Sequence, residues 1–412
     1  MYSTYTSAFF SAEKIRAITL KTSDHVDLCI IGAGIAGAAL AAALADSGLR
    51  ILLLERRLGP LDTARGDHIQ PSLIPVLSRW GVLDALLDSG AEKRVGTRWF
   101  AEDREPIVTV GVPETEITPP WFLFLNHERI GKVLEERAVS GGADLISGVD
   151  RWELKREKSS WRVDFRYQEV ERSVRCTLLV GADGTGSLVR SRLNIAAQRH
   201  RYQFPIAVLY GRPSALPAAR TLDVYLAQQR MVSLIPRTGG WTKIGFPIDA
   251  AELAQWRDQN TQTLNAQLRA WCPSLEFEEL RFGAIYPPVS LTTDCYNGEG
   301  AAVLLGDACH AMHPARSQGM NTCFRVADQL ADRLRLLSPG FSEASVLPIV
   351  RAFDSEFRAD LEPRLAENHA AGLQMDTLDG GGFLELASQL RFAAENPDVL
   401  AAMSRRAAGL EA

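Results

Sequence analysis

Three glycines, Gly32, Gly34 and Gly37, follow the apolar run Val26 to Ile31 and open a stretch of small helix-forming residues. A strand that ends in glycines at this spacing is the fingerprint of a dinucleotide turn. The first glycine makes the bend, the second lets a pyrophosphate approach the backbone, and the third lets helix and strand pack closely. The amides that open the helix, at Ile35 and Ala36, offer a diphosphate their partial positive charge. Glu55 closes the next apolar run, Ile51 to Leu54, where its carboxylate can accept from ribose hydroxyls. Arg56 beside it joins the same cofactor-binding set. The fingerprint by itself is compatible with FAD or NAD.

Two later loops narrow the choice. Gly181-Ala182-Asp183-Gly184-Thr185-Gly186-Ser187 runs on to Arg190, and Gly306-Asp307-Ala308-Cys309-His310 is followed by Pro314 and by Gln318-Gly319-Met320-Asn321. Each places an acid at a strand end inside a glycine-bearing loop. With these three ordered motifs, residues 26–335 strongly resemble the single-component FAD-dependent monooxygenases typified by para-hydroxybenzoate hydroxylase, the aromatic hydroxylases.

The resemblance implies that FAD occupies the one fingerprint and that NAD(P)H visits as a transient co-substrate without a pocket of its own. It assigns the adenosine ribose to Glu55, the pyrophosphate surroundings and the transient nicotinamide path to Asp183, and the ribityl hydroxyls to Asp307. Arg65 falls where the family often keeps an arginine beside the flavin phosphates and the mobile ring. The amides of Gly319, Met320 and Asn321 would face the flavin pyrimidine edge, where partial positive charge stabilises an anionic reduced ring. The implied reaction is hydroxylation of an electron-rich aromatic small molecule by dioxygen through a flavin C4a-hydroperoxide. Such chemistry needs an apolar, water-excluding roof over the flavin. The chain departs from the family twice. The family loop usually reads Pro-x-x-Gly-Gln-Gly, and Ser317 stands at the first of those glycines with Arg316 before it; further on, Arg325-Val326-Ala327 replaces a pair of acids followed by alanine.

His68, Gln70, Tyr210, Tyr225, His313 and Arg316 are polar groups that could reach a substrate, but none is assigned a catalytic role. His310 and His313 have the spacing of a metal pair without a third ligand nearby, so no metal is expected. Cys309 and Cys323 read as small buried residues. A flavin-dependent halogenase would carry Trp-x-Trp-x-Ile-Pro, and Met231 to Pro236 lacks both tryptophans. The rival readings are a reductase of a prenyl-type substrate and a non-catalytic flavin-binding protein.

These motifs require a strand, a tight turn and a helix at Val26 to Leu44, a parallel strand at Ile51 to Leu54, and further buried strands ending at Val180 and Leu305. The fold class is α/β: a Rossmann-like FAD-binding domain interleaved with a mixed-sheet substrate domain, then a helical C-terminus. The expected division is an N-terminal extension (1–25), the FAD-binding domain (26–95, 120–196 and 285–335), the substrate domain (96–119 and 197–284) and a helical C-terminal region (336–412).

Composition sets the outer bounds. The chain has 412 residues, 46% hydrophobic and 23% charged, with a formal net charge of -5. This is globular composition, and it lacks the broad positive footprint that nucleic acid requires. The six cysteines form no C-x-x-C pair, which fits reduced thiols. No apolar run reaches the roughly 18 residues of a membrane span. The expected partners are a small aromatic substrate and dioxygen, with no nucleic acid and no transmembrane segment, for a cytoplasmic monomer or homodimer.

Overall fold

The computed structural model describes residues 25–61, 68–101, 105–113, 116–117, 120–214, 221–227, 230–273, 275–379 and 381–411. Of the expected extension over 1–25, residues 1–24 lie outside the described residues, as does the candidate Arg65, and His25 opens the first strand. Strand β1 (His25–Ile31) leads through the glycine turn into α1 (Ile35–Ala43), and β2 (Ile51–Glu55) follows. Next come β3 (His68–Ile69), α2 (Ile74–Arg79), α3 (Leu83–Asp88), β4 (Glu92–Arg94), β5 (Gly96–Phe100), β6 (Pro106–Gly111), β7 (Phe122–Phe124), α4 (His127–Ser140) and β8 (Asp144–Ser147). A meander of β9 (Arg151–Glu157), β10 (Ser160–Tyr167) and β11 (Val170–Gly181) ends at α5 (Leu188–Arg192). Strands β12 (Ala197–Arg201), β13 (Ile206–Pro213), β14 (Thr221–Ala227), β15 (Arg230–Arg237) and β16 (Trp241–Pro247) precede α6 (Leu253–Trp256) and α7 (Thr261–Arg269). After β17 (Phe277–Tyr286), β18 (Val289–Thr293), β19 (Ala302–Leu304) and β20 (His310–Ala311), the chain is helical: α8 (Gln318–Leu334), α9 (Glu343–Met375), α10 (Gly381–Glu395) and α11 (Pro397–Ala408).

The first sheet has seven strands in the order β8-β2-β1-β11-β10-β9, with β19 added beside β11. β1 from Val26 onward, β2 and the C-terminal half of β11 are buried throughout, as strands covered by helices on both faces must be. β11 is the hinge of this sheet: its first half pairs antiparallel with β10 and its second half parallel with β1 and β19. The register sets Ile31 opposite Gly181 and Gly181 opposite Leu304. Three loops from distant parts of the sequence therefore leave the sheet side by side. Helices α1 and α8 pack on each other over this edge.

The second sheet also has seven strands, in the order β17-β13-β16-β15-β14-β5-β6. It is mixed, because β14 runs parallel to β5 while the other pairs are antiparallel. Strand alternation divides its residues between two faces. One face, with Leu209, Tyr225, Val232, Ile244 and Phe246, packs with Leu264 and Leu268 of α7. The other, with Val108, Leu222, Val224, Leu226 and Met231, packs with Phe383, Ala387 and Leu390 of α10.

Candidate active site

The glycine turn is built by close contact. Gly32 has φ +102°, and a Cβ on it would lie 2.4 Å from the Ala182 carbonyl oxygen. A Cβ on Gly37 would lie 2.0 Å from the Gly32 oxygen, so the third glycine is what lets α1 meet the turn. Gly34 differs: nothing stands within 4 Å of its Cβ position. It caps α1 without a side-chain hydrogen bond, and the first turn of α1 carries no acid. The opening amides of a helix have no intrahelical acceptors, so an open, side-chain-free cap above Ile35 and Ala36 fits a diphosphate.

Glu55 is buried at the end of β2. Its carboxylate accepts from the Ala33 amide (2.7 Å) and the Arg57 amide (2.7 Å), which pins the glycine turn to this strand end. Each oxygen retains a second acceptor site, the one a ribose hydroxyl would use. Arg56 is exposed, whereas Arg57 reaches back to Glu55 and bonds Glu135 at 3.1 Å. Burial pushes the Glu135 carboxyl up to about 7, with Arg57 opposing the shift. Arg57 carries no sequence motif that would have singled it out.

Asp183 spends its carboxylate within its own loop. Oδ1 accepts from Ser187 Oγ (2.5 Å) and Oδ2 from the Leu188 and Val189 amides (2.7 and 3.2 Å), which fixes the start of α5. Gly184 and Gly186 stand open, with nothing within 4 Å of their Cβ positions. Arg190, which sequence reasoning left without a role, donates from Nη1 to the Ala308 carbonyl (2.7 Å) and from Nη2 to the Thr185 carbonyl (3.0 Å). It joins the second loop to the third. Gly306, with φ +62°, sits where a Cβ would strike Ala36 Cβ at 2.7 Å and Cys323 Sγ at 3.3 Å. The half-buried Asp307 is thereby held beside the first turn of α1 and the first turns of α8.

Ser317 precedes α8 in the left-handed conformation, φ 52° and ψ 32°, which explains why a glycine suits this position. Gly319 is open, Met320 is buried, and Asn321 is fully buried. The Asn321 side chain accepts from the Gln70 amide (2.9 Å) and donates to the His68 carbonyl (3.0 Å) and the Ser317 carbonyl (2.7 Å). It ties the start of α8 to β3. His68 stacks on Phe124 at 4.8 Å, and burial lowers its imidazole to about 4, so it is neutral at pH 7.

Beside this loop cluster lies the apolar cluster of the second sheet and α10, which also takes in Phe122, Phe124 and Ala315. The polar candidates divide around it. Tyr225 is on the opposite face of the sheet, stacked on Phe100 at 4.5 Å, because it alternates with Val224 and Leu226. Tyr210 packs with Ile206 and Val208 under the Arg237 guanidinium. Arg316 is ion-paired with Glu367. His313 accepts from the Ala315 amide at 3.1 Å, with its ring against Tyr202. Among the described residues no group of three His, Cys, Asp or Glu could hold a metal.

A glycine turn, two acid-bearing loops and an open helix start gathered at one sheet edge define a dinucleotide-binding flavoprotein. The chain belongs to the FAD-binding domain family, whose model matches residues 25–347, and within it to the FAD-dependent aromatic monooxygenases, which are oxidoreductases. It is similar to 12-dehydrotetracycline 5-monooxygenase/anhydrotetracycline 6-monooxygenase of Streptomyces rimosus, 25% identical over 344 residues, covering 79% of this chain and 66% of the relative. It is also similar to dialkyldecalin synthase of Streptomyces rugosporus, 25% identical over 339 residues, 77% of this chain and 67% of the relative. The crystal structure of p-nitrophenol 4-monooxygenase from Pseudomonas putida has a TM-score of 0.76 at 16% identity, over 92% of this chain and 97% of that one, which establishes the shared fold. The chain spans 72% of one curated relative and less than two thirds of three others, 66%, 56% and 55%.

Proposed function

We propose that the chain is an NAD(P)H-driven monooxygenase that hydroxylates an electron-rich aromatic small molecule. The observation that carries this reading is that the start of α1, the Asp307 loop and α8 meet at Gly306, while Ala315, just ahead of α8, joins the apolar cluster of the second sheet and α10. Bound FAD would supply the two-electron chemistry that activates dioxygen. The chain's own work is to hold and to exclude. The amides at Ile35 and Ala36 bind the diphosphate, Glu55 the adenosine ribose and Asp307 the ribityl chain. Met320 and Asn321 anchor α8 so that its first amides meet the pyrimidine edge. Leu222, Val224, Leu226 and Met231 offer an aromatic ring an apolar wall that keeps out water.

The net reaction balances as RH + O2 + NAD(P)H + H+ giving ROH + H2O + NAD(P)+. Turnover under labelled dioxygen tests it: the product should gain one labelled oxygen. An oxygen from water, or a product heavier by two hydrogens as the prenyl-reductase reading requires, overturns it. Among the described residues no helix is long and apolar enough to cross a membrane, and all six cysteines are free thiols, which supports a cytoplasmic protein.

A further inference from the structure

Arg325, at the position of one departure from the family pattern, faces the C-terminal helices. Its Nη2 donates to Gln70 Oε1 (3.2 Å), Ser72 Oγ (2.8 Å) and the Gly409 carbonyl (2.9 Å). Gln70 Nε2 donates to the Ala407 carbonyl (3.0 Å), and Arg364 Nη1 to the Glu411 carbonyl (2.9 Å). Three alternate carbonyls at the end of α11 and just past it, those of Ala407, Gly409 and Glu411, are thus held by Gln70 after β3, Arg325 of α8 and Arg364 of α9. Gly409 makes this possible: it has φ +81°, and a Cβ on it would lie 2.3 Å from Arg325 Nη2, 2.6 Å from Ser72 Oγ and 2.7 Å from Gln70 Oε1. Any other residue would be strained at this φ and would push these three side-chain ends aside.

The same knot reaches the flavin-facing loop. The Gln70 amide donates to Asn321, whose side chain holds the Ser317 and His68 carbonyls at the start of α8. On their other side α10 and α11 rest on β6 and β14, with Phe383 and Leu390 in the apolar cluster beside the candidate site. Burial lowers the Arg325 guanidinium to about 10, so it remains charged at pH 7 and its bonds are charge-assisted.

We propose that α10 and α11 cover the apolar sheet face assigned to the substrate and that Arg325 is a positioning residue that latches this cover, through Gly409 and Gln70, to the start of α8, so that substrate enters when the latch opens. The proposal rests on the apolar wall assigned to the substrate above. A cover held by apolar contact inside and by a few polar bonds at one end opens as a unit when that end is released.

Hydrogen exchange on the full chain, with and without bound FAD, tests it through the variants Gly409→Ala and Arg325→Met. Exchange over 383–408 is expected to rise at least tenfold in both forms, with β1 and β11 unchanged. Peroxide released per NAD(P)H oxidised should rise severalfold while FAD affinity changes less than twofold. Unchanged exchange over 383–408, or an equal rise across β1 and β11, overturns the latch. Ser72→Ala, which removes one acceptor from the knot without adding bulk, gives a milder variant in which the same local rise is required. Exchange in the FAD-free chain reports on the latch even if the oxygenation reading fails.

Discussion

Arg190 Nη1 lies 2.7 Å from the carbonyl oxygen of Ala308, and this bond joins two loops 118 residues apart in the sequence. The guanidinium is buried, and its second contact, to the Thr185 carbonyl, lies within its own loop. One side chain thereby sets the spacing between the Asp183 loop and the Asp307 loop. Burial and the nearby Arg199 lower its pKa without discharging it at neutral pH.

Replacing Arg190 should therefore weaken FAD retention without touching any group assigned to the cofactor. Arg190→Met leaves the Ala308 carbonyl without its donor, while the Thr185 carbonyl keeps the Arg199 guanidinium at 2.6 Å; the loss is about 1–2 kcal/mol and hence roughly 5- to 30-fold in affinity. Fluorescence titration of the stripped protein with FAD measures it. Wild-type affinity would remove Arg190 from the site.

Ser317→Gly should stabilise the protein. Ser317 holds φ 52°, a conformation that costs an L-residue about 1–2 kcal/mol and glycine almost nothing. Glycine also loses more freedom on folding, so a net gain of about 1 kcal/mol is expected, roughly 1 °C in Tm for a chain of this size. Calorimetry that finds a lower Tm would contradict the strain assigned to this position.

Stability should fall as pH drops below about 6.5. Burial lowers the His68 and His310 imidazoles to about 4, whereas in the unfolded chain they titrate near 6.5. The unfolded chain therefore takes up these protons first. The stabilisation is complete above about pH 6.5 and is lost on the way down to about pH 4, on the order of 3 kcal/mol per histidine. Neither ring nitrogen of His310 has a partner among the described residues, and the ring lies between Tyr296 and Phe357. His310→Phe should thus fold and flatten the dependence of Tm on pH between 6.5 and 4.5. An unaltered slope would show that His310 does not contribute.

The sequence by itself determined the local pieces. The spacing of Gly32, Gly34 and Gly37 could be read as a turn because the contact that requires Gly37 is local, against the Gly32 oxygen, whereas the contact that requires Gly32 comes from the distant Ala182. The all-apolar runs at β1 and β2 could be read as covered parallel strands for an equally local reason. Phe277–Tyr286 escaped the reading, because Glu278, Glu279 and Arg281 break its alternation on an exposed edge. Only the tertiary structure decided what the pieces face. The pairing of Ile31, Gly181 and Leu304 across one edge, the bond from Arg190 to Ala308, and the closure of Arg325 on Gly409 all join residues far apart in the chain. Alternation along β14 shows that Leu222, Val224 and Leu226 share one side and Tyr225 takes the other. Which side meets α10 depends on how the two sheets and the C-terminal helices pack, and that is settled by burial summed over the whole core rather than by any residue's neighbours in sequence.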